Sequence, residues 1–147
     1  MSLKQWADNG WLKPHGTSLT EIKSLFAVVE RDLKDARGDV SADWRFSIAY
    51  NAAIKLATIL LYAEGYRPDR NLQHYRTIHA IPLIFGSEHQ ESADYLDACR
   101  KKRNISDYEM PGVATENDTQ EIIDFVLQFQ DRVRDWLETY HPEFLGH

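Results

Sequence analysis

A single cysteine, Cys99, leaves this chain without an internal disulfide, and a reduced, cytoplasmic setting is the simplest expectation. Cys99 falls on an apolar helical face with no histidine near it in sequence, the place of a buried filler rather than a nucleophile. Cations are outnumbered, 17 Lys and Arg against 23 Asp and Glu, and the net charge of −6 has the wrong sign for a general nucleic-acid binder. No uninterrupted apolar run approaches the roughly 20 residues of a membrane span. Residues 1–6 hold no signal-peptide core. A Gly-rich phosphate loop and a Gly-x-Ser-x-Gly elbow are both missing. The histidines His15, His74, His79, His89, His141 and His147 show no zinc spacing. One Glu-x-x-His pair, Glu138 with His141, stands where a di-iron bundle needs two, so neither metal nor cofactor is expected. Strand alternation, internal repeats and low-complexity tracts are absent as well.

What is present is helical periodicity. An apolar content of 43% over 147 residues suits one domain that buries about two-thirds of its unfolded surface. Residues 1–16 form an arm broken by Gly10 and Pro14, which packs on the bundle or on a partner through Trp6 and Trp11. Residues 17–147 form a single helical-bundle domain. Ser18-Leu19-Thr20-Glu21 reads as a capping box, followed by Ile22, Phe26, Val29, Leu33 and Ala36 at threes and fours, with Gly38 as the stop. From near Ser41 to Gly65 the chain is apolar almost all round, the mark of a central helix. Its thin polar line, Ser47, Asn51, Lys55, Thr58 and Tyr62, forms either a solvent strip or the lining of a cleft.

A third segment, 72–85, carries Leu72, Tyr75 and Ile78 and is broken by Pro82. A fourth helix ends near Asp107, and Glu109-Met110-Pro111-Gly112 reads as a loop. Thr115 to Asp118 cap a last helix with a heptad-like seam, Ile122, Val126, Phe129, Val133, Trp136 and Tyr140. The fold expected is all-α, an antiparallel bundle of four to five helices.

Leu96, Cys99 and Arg103 fall at i, i+3 and i+7, so Arg103 continues an apolar stripe. A guanidinium facing inward stays charged and must find partners, as an anchor or as a site. The turn Arg100-Lys101-Lys102-Arg103 is compactly basic, whereas residues 116–143 hold eight acids against Arg132 and Arg134. Such a turn either offsets its acidic neighbour or grips phosphate. In the second case Arg100, Lys101, Arg103 and Asn104, with Asn51 and Lys55 on the central helix, are the candidate nucleotide- or RNA-binding residues.

The stretch Arg103-Asn104-x-x-x-Tyr108 resembles the signature of the HEPN family, an arginine, a polar neighbour, three further positions and a histidine at the end of a late helix. The alanine-rich segment from Arg45 to Gly65 is similar to the family's aromatic-bearing central helix. The resemblance implies a HEPN-like bundle, a homodimer that joins two copies of the motif, and an association with toxin–antitoxin systems or a nucleotidyltransferase partner. It makes Arg103, Asn104 and Tyr108 the candidate catalytic residues. Tyrosine stands where histidine belongs, and a phenol with an ordinary pKa of about 10 is a poor base at neutral pH. The expectation is therefore a module that binds a nucleotide, RNA or a protein partner rather than a competent nuclease. The alternatives are a metal-independent endoribonuclease toxin using those three residues, and a ligand-free helical interaction module presenting its Trp-bearing arm and acidic last helix.

Overall fold

The structure, a computed structural model, describes residues 1–108 and 111–146, with backbone alone at 107 and 108. In chain order the elements are α1 (Leu3–Asp8), β1 (Leu12–Pro14), α2 (Leu19–Ala36), α3 (Ala42–Ala63), β2 (Tyr66–Pro68), α4 (Gln73–His79), α5 (Ile81–Phe85), α6 (Gln90–Tyr108) and α7 (Glu116–Tyr140). Single 3₁₀ turns precede α6 and follow α7. The protein is an all-α helical bundle with one small sheet.

The helix starts follow from side chains that satisfy otherwise unpaired backbone N–H groups. At α7 Thr115 accepts from the Asp118 N–H while the Asp118 carboxylate accepts from that of Thr115, a full capping box. At α2 only half of the expected box forms. Ser18 accepts from the Glu21 N–H at 3.1 Å, but the Glu21 carboxylate turns to Thr17 and His15, each at 2.7 Å. One competing partner, His15, lies in the arm and the other, Thr17, just before the cap, so the reciprocal bond is lost to these contacts.

Helix α3 is central. Phe46, Ala49, Tyr50, Ala53, Leu56, Ala57 and Leu60 are all buried, and small alanines let neighbouring helices approach closely. By length and composition α3 could cross a membrane, although its polar residues leave no uninterrupted apolar run of that length. Of its most apolar window 72% lies buried inside the protein, as in the core helix of a bundle.

Ion pairs and hydrogen bonds at the helix ends give the directions. Arg45, at the start of α3, donates to the Ala36 carbonyl at the end of α2 (2.7 Å) and to Glu116 at the start of α7 (2.8 Å). Lys102, near the end of α6, reaches Asp118 of α7 at 3.1 Å. At the opposite end His141 lies 3.7 Å from Glu64. Helices α3 and α7 therefore run parallel and in contact, while α2 and α6 run antiparallel to both. The seam of α7 buries Ile122, Val126, Phe129 and Val133 as expected, whereas Tyr140, in the last turn, is 66% exposed.

Two details depart from the sequence reading. Residues 12–14 and 66–68 pair as antiparallel strands, Leu12 opposite Pro68 and Pro14 opposite Tyr66. Three-residue strands are too short to show alternation, and the proline in each gave no strand signal. Segment 72–85 divides at Ala80 into α4 and α5, with Pro82 in the first turn of α5. Leu72 precedes α4 in a left-handed conformation (φ 54°) and is exposed, so Ile78 rather than Leu72 or Tyr75 carries the buried face. The proposed loop falls partly on Glu109 and Met110, outside the described residues; Gly112 within it donates to Asp43 at 3.1 Å.

The polar line of α3 is no simple solvent strip. Ser47 is buried, Tyr62 stacks on His15 with centroids 3.9 Å apart, and Lys55 meets the buried Asp32 carboxylate of α2 at 2.8 Å. Lys55→Met, leaving Asp32 with Arg31 at 3.4 Å, should lower stability in urea unfolding by about 2 kcal/mol. Adding Asp32→Asn should recover part of that loss, since the isolated buried charge is then gone.

Candidate functional site

The site is built where α3, α4 and α6 meet. Tyr50 is fully buried on α3, and a buried phenol must donate its proton to something. Its partner is Nδ1 of His74 on α4, 3.0 Å away. Against the same ring lies Arg103 of α6, its guanidinium carbon 5.5 Å from the Tyr50 centroid and its Nε out of solvent. Arg103 is thus half-buried beside the central helix, where the Leu96–Cys99 stripe pointed it. One turn earlier Arg100 donates to Asp97 at 2.9 Å and stands 5.7 Å from the ring of Tyr75 on α4.

This environment sets the protonation states. Burial pushes the Tyr50 phenol far above its usual range, outweighing the nearby arginine charges. His74 is held below 6.5, first by burial and then by the charges of Arg103 and Arg100. At neutral pH His74 is accordingly a neutral imidazole. With Nδ1 accepting from the Tyr50 hydroxyl, the ring proton sits on Nε2, so His74 is a hydrogen-bond donor through that atom. Asp97 is lowered overall: burial raises it, and hydrogen bonds and charges from Arg100 and Lys101 together outweigh burial.

The other sequence-derived candidates are distributed unevenly. Lys101 is exposed and lies 3.4 Å from Asp97; Lys102 is taken by Asp118. Asn104 is half-buried on α6 and Asn51 half-buried on α3 beside Tyr50 in the chain. Lys55 faces α2 through Asp32, so the structure does not bring it to the arginines. The side chains of Tyr108 and Asp107, and with them the alternative Arg103–Asp107 pairing, lie outside the described residues. Cys99 is buried, and burial pushes its thiol up to about 11, consistent with a filler. Among the described residues no group of side chains is arranged to hold a metal ion.

Sequence reasoning missed His74, Tyr50 and Tyr75. For Tyr50 a signal existed, since a hydroxyl on a helix apolar nearly all round needs a buried partner. Nothing local marked His74, which joins the site only through packing of α4 on α3. Chemically the cluster brings two guanidinium groups and a neutral imidazole together, with the exposed ring of Tyr75 beside them. Compared with known proteins, the chain matches no family model, no curated protein and no solved structure.

The depressed pKa of His74 has a thermodynamic sign. The native state binds fewer protons there than the unfolded chain, so its stabilising contribution is complete above about 6.5 and is lost as pH falls through the native value. An NMR titration should place the His74 midpoint below 6.5, and Arg103→Ala should move it upward. In urea, acidification from pH 7 to 5 should destabilise the protein, with a shallower dependence in His74→Gln.

Proposed function

We propose that the protein is a HEPN-like helical module that binds the phosphate of a nucleotide or an RNA strand at Arg103 and Arg100, without cleaving it. The observation that supports this most is the seating of Arg103 on the buried Tyr50–His74 pair, with Arg100 alongside. An overall charge of −6 opposes non-specific attraction, so recognition depends on this local concentration of donors. Guanidinium forks suit phosphate oxygens, and a neutral imidazole N–H adds a donor at little electrostatic cost.

Cleavage of RNA without metal needs a group that takes the proton of a 2′-OH. As the ring is oriented, His74 has its acceptor nitrogen occupied by Tyr50, and the position of the motif histidine is Tyr108. Both facts favour binding over catalysis. A homodimer and a nucleotidyltransferase partner belong to the same reading, through the HEPN resemblance alone.

Fluorescence anisotropy with a short single-stranded RNA in EDTA should show binding that weakens as salt rises, with a slope that measures the phosphates contacted. Arg103→Ala should weaken it by about tenfold or more. Undetectable binding at low salt would remove the proposal. Cleavage lost in Arg103→Ala and in Tyr108→Phe would replace it with the endoribonuclease reading. Tyr108→His is the converse experiment, returning a group that titrates near neutrality. In sedimentation, a dimer should persist at tens of micromolar if the two copies share an interface of roughly 1,600 Å².

A further inference from the structure

Next to Arg100, across the ring of Tyr75, lies a cleft of about 440 Å³ between the N-terminal arm and helices α4 to α6. Its walls include the indoles of Trp6 and Trp11, the ring of Tyr75, Arg76 and His79. Two indoles packed edge to face, 5.9 Å apart, form the floor on the arm side. The Arg76 guanidinium already covers Trp11 at 3.8 Å and stands within 6.0 Å of Tyr75. That cation occupies the place a cationic ligand would take, so the cleft suits a neutral planar ring instead.

The cleft also has polar groups suited to the edge of such a ring. His79 lines it, and its buried Nε2 has no hydrogen bond; the nearest carboxylate oxygen, on Asp97, is 3.8 Å away. That nitrogen is turned toward Asp97, so His79 offers the cleft the rest of its ring. Ser87 and Gln90 stand exposed at the rim. Tyr75 joins this cleft to the proposed phosphate site, since its ring centroid lies 6.0 Å from the Arg76 guanidinium and 5.7 Å from that of Arg100. An aromatic floor, polar side chains at the rim and a neighbouring arginine site together match the parts of one nucleotide. The volume is that of a small-ligand pocket.

We infer that this cleft holds the nucleobase of a nucleotide, stacked on the Arg76–Trp11 platform and against Tyr75, with its phosphate directed to Arg100. The inference rests on the proposed phosphate-binding role of the arginines for one half of the ligand, and on the cleft itself for the other. A free nucleotide and one residue of an RNA strand present the same chemistry.

The test follows the indole N–H resonances of the full-length protein during addition of 5′-AMP, adenosine, inorganic phosphate or a ten-nucleotide poly(A) strand. Trp6 and Trp11 should shift with AMP and, at higher concentration, with adenosine. Trp44, exposed at the other end of α3, should stay in place. Inorganic phosphate alone should leave the Trp6 and Trp11 signals unmoved. Tyr75→Ala removes a partly exposed ring and should weaken AMP by about tenfold. His79→Gln gives a second, independent perturbation should the first disturb folding. Saturation by AMP with no added gain from the strand identifies the free nucleotide as ligand, and a tighter strand identifies RNA.

Unmoved Trp6 and Trp11 resonances at millimolar AMP and poly(A) would overturn the inference, as would affinity unchanged in both variants. RNA binding that depends on Arg103 while the two indoles stay silent would refute the base pocket and leave the phosphate site standing. Adenosine shifts that persist in Arg103→Ala, with no phosphate-dependent gain in any protein, would support the pocket and remove the phosphate site.

Discussion

Almost every feature of this protein depends on one constraint, the burial of α3 on nearly all sides. A helix of 22 residues without a broad solvent face must find a partner for each polar group it carries. Arg45 meets this need by tying the ends of α2 and α7 together, Lys55 by pairing with Asp32, and Thr58 by donating to the carbonyl one turn back. Tyr50 meets it by donating to His74, which brings α4 onto the bundle. The candidate site is thus a by-product of solving the core: the residue that satisfies a buried phenol also stands beside Arg103.

Charge is arranged with the same economy. Most of the basic turn on α6 is matched locally, Arg100 and Lys101 by Asp97 and Lys102 by Asp118. Arg103, one turn beyond Arg100, lies half-buried against the Tyr50 ring.

The arm shows how short elements gain order from the bundle. Trp6 is buried and Leu12 nearly inaccessible, packed with Leu61 of α3 and Ala80. Backbone bonds from Asp69 to Trp11 and from His15 to Gly65 fasten the arm to the β2 segment at 2.9 Å each. A three-residue strand has no stability of its own in water, so the sheet exists because the indoles bury on the bundle. The same docking creates the aromatic cleft, which neither the arm nor α4 contains alone.

The sequence by itself determined the elements whose information is local. The threes and fours of α2 and α7, the caps at Ser18 and Thr115, and the all-round apolarity of α3 are properties of neighbouring residues, and the helical bundle follows from them. The inward stripe ending at Arg103 was legible for the same reason, since helical geometry alone places i, i+3 and i+7 on one face. What only the tertiary structure decided is which distant groups meet. His74 reached Tyr50, Lys55 turned to Asp32 instead of the arginines, Glu21 left its capping box for His15, and two prolines came to lie in paired strands. In each case competing partners of similar local merit were available, and the close packing around α3 selected among them, because a buried polar group accepts whichever partner the fold places within hydrogen-bond reach.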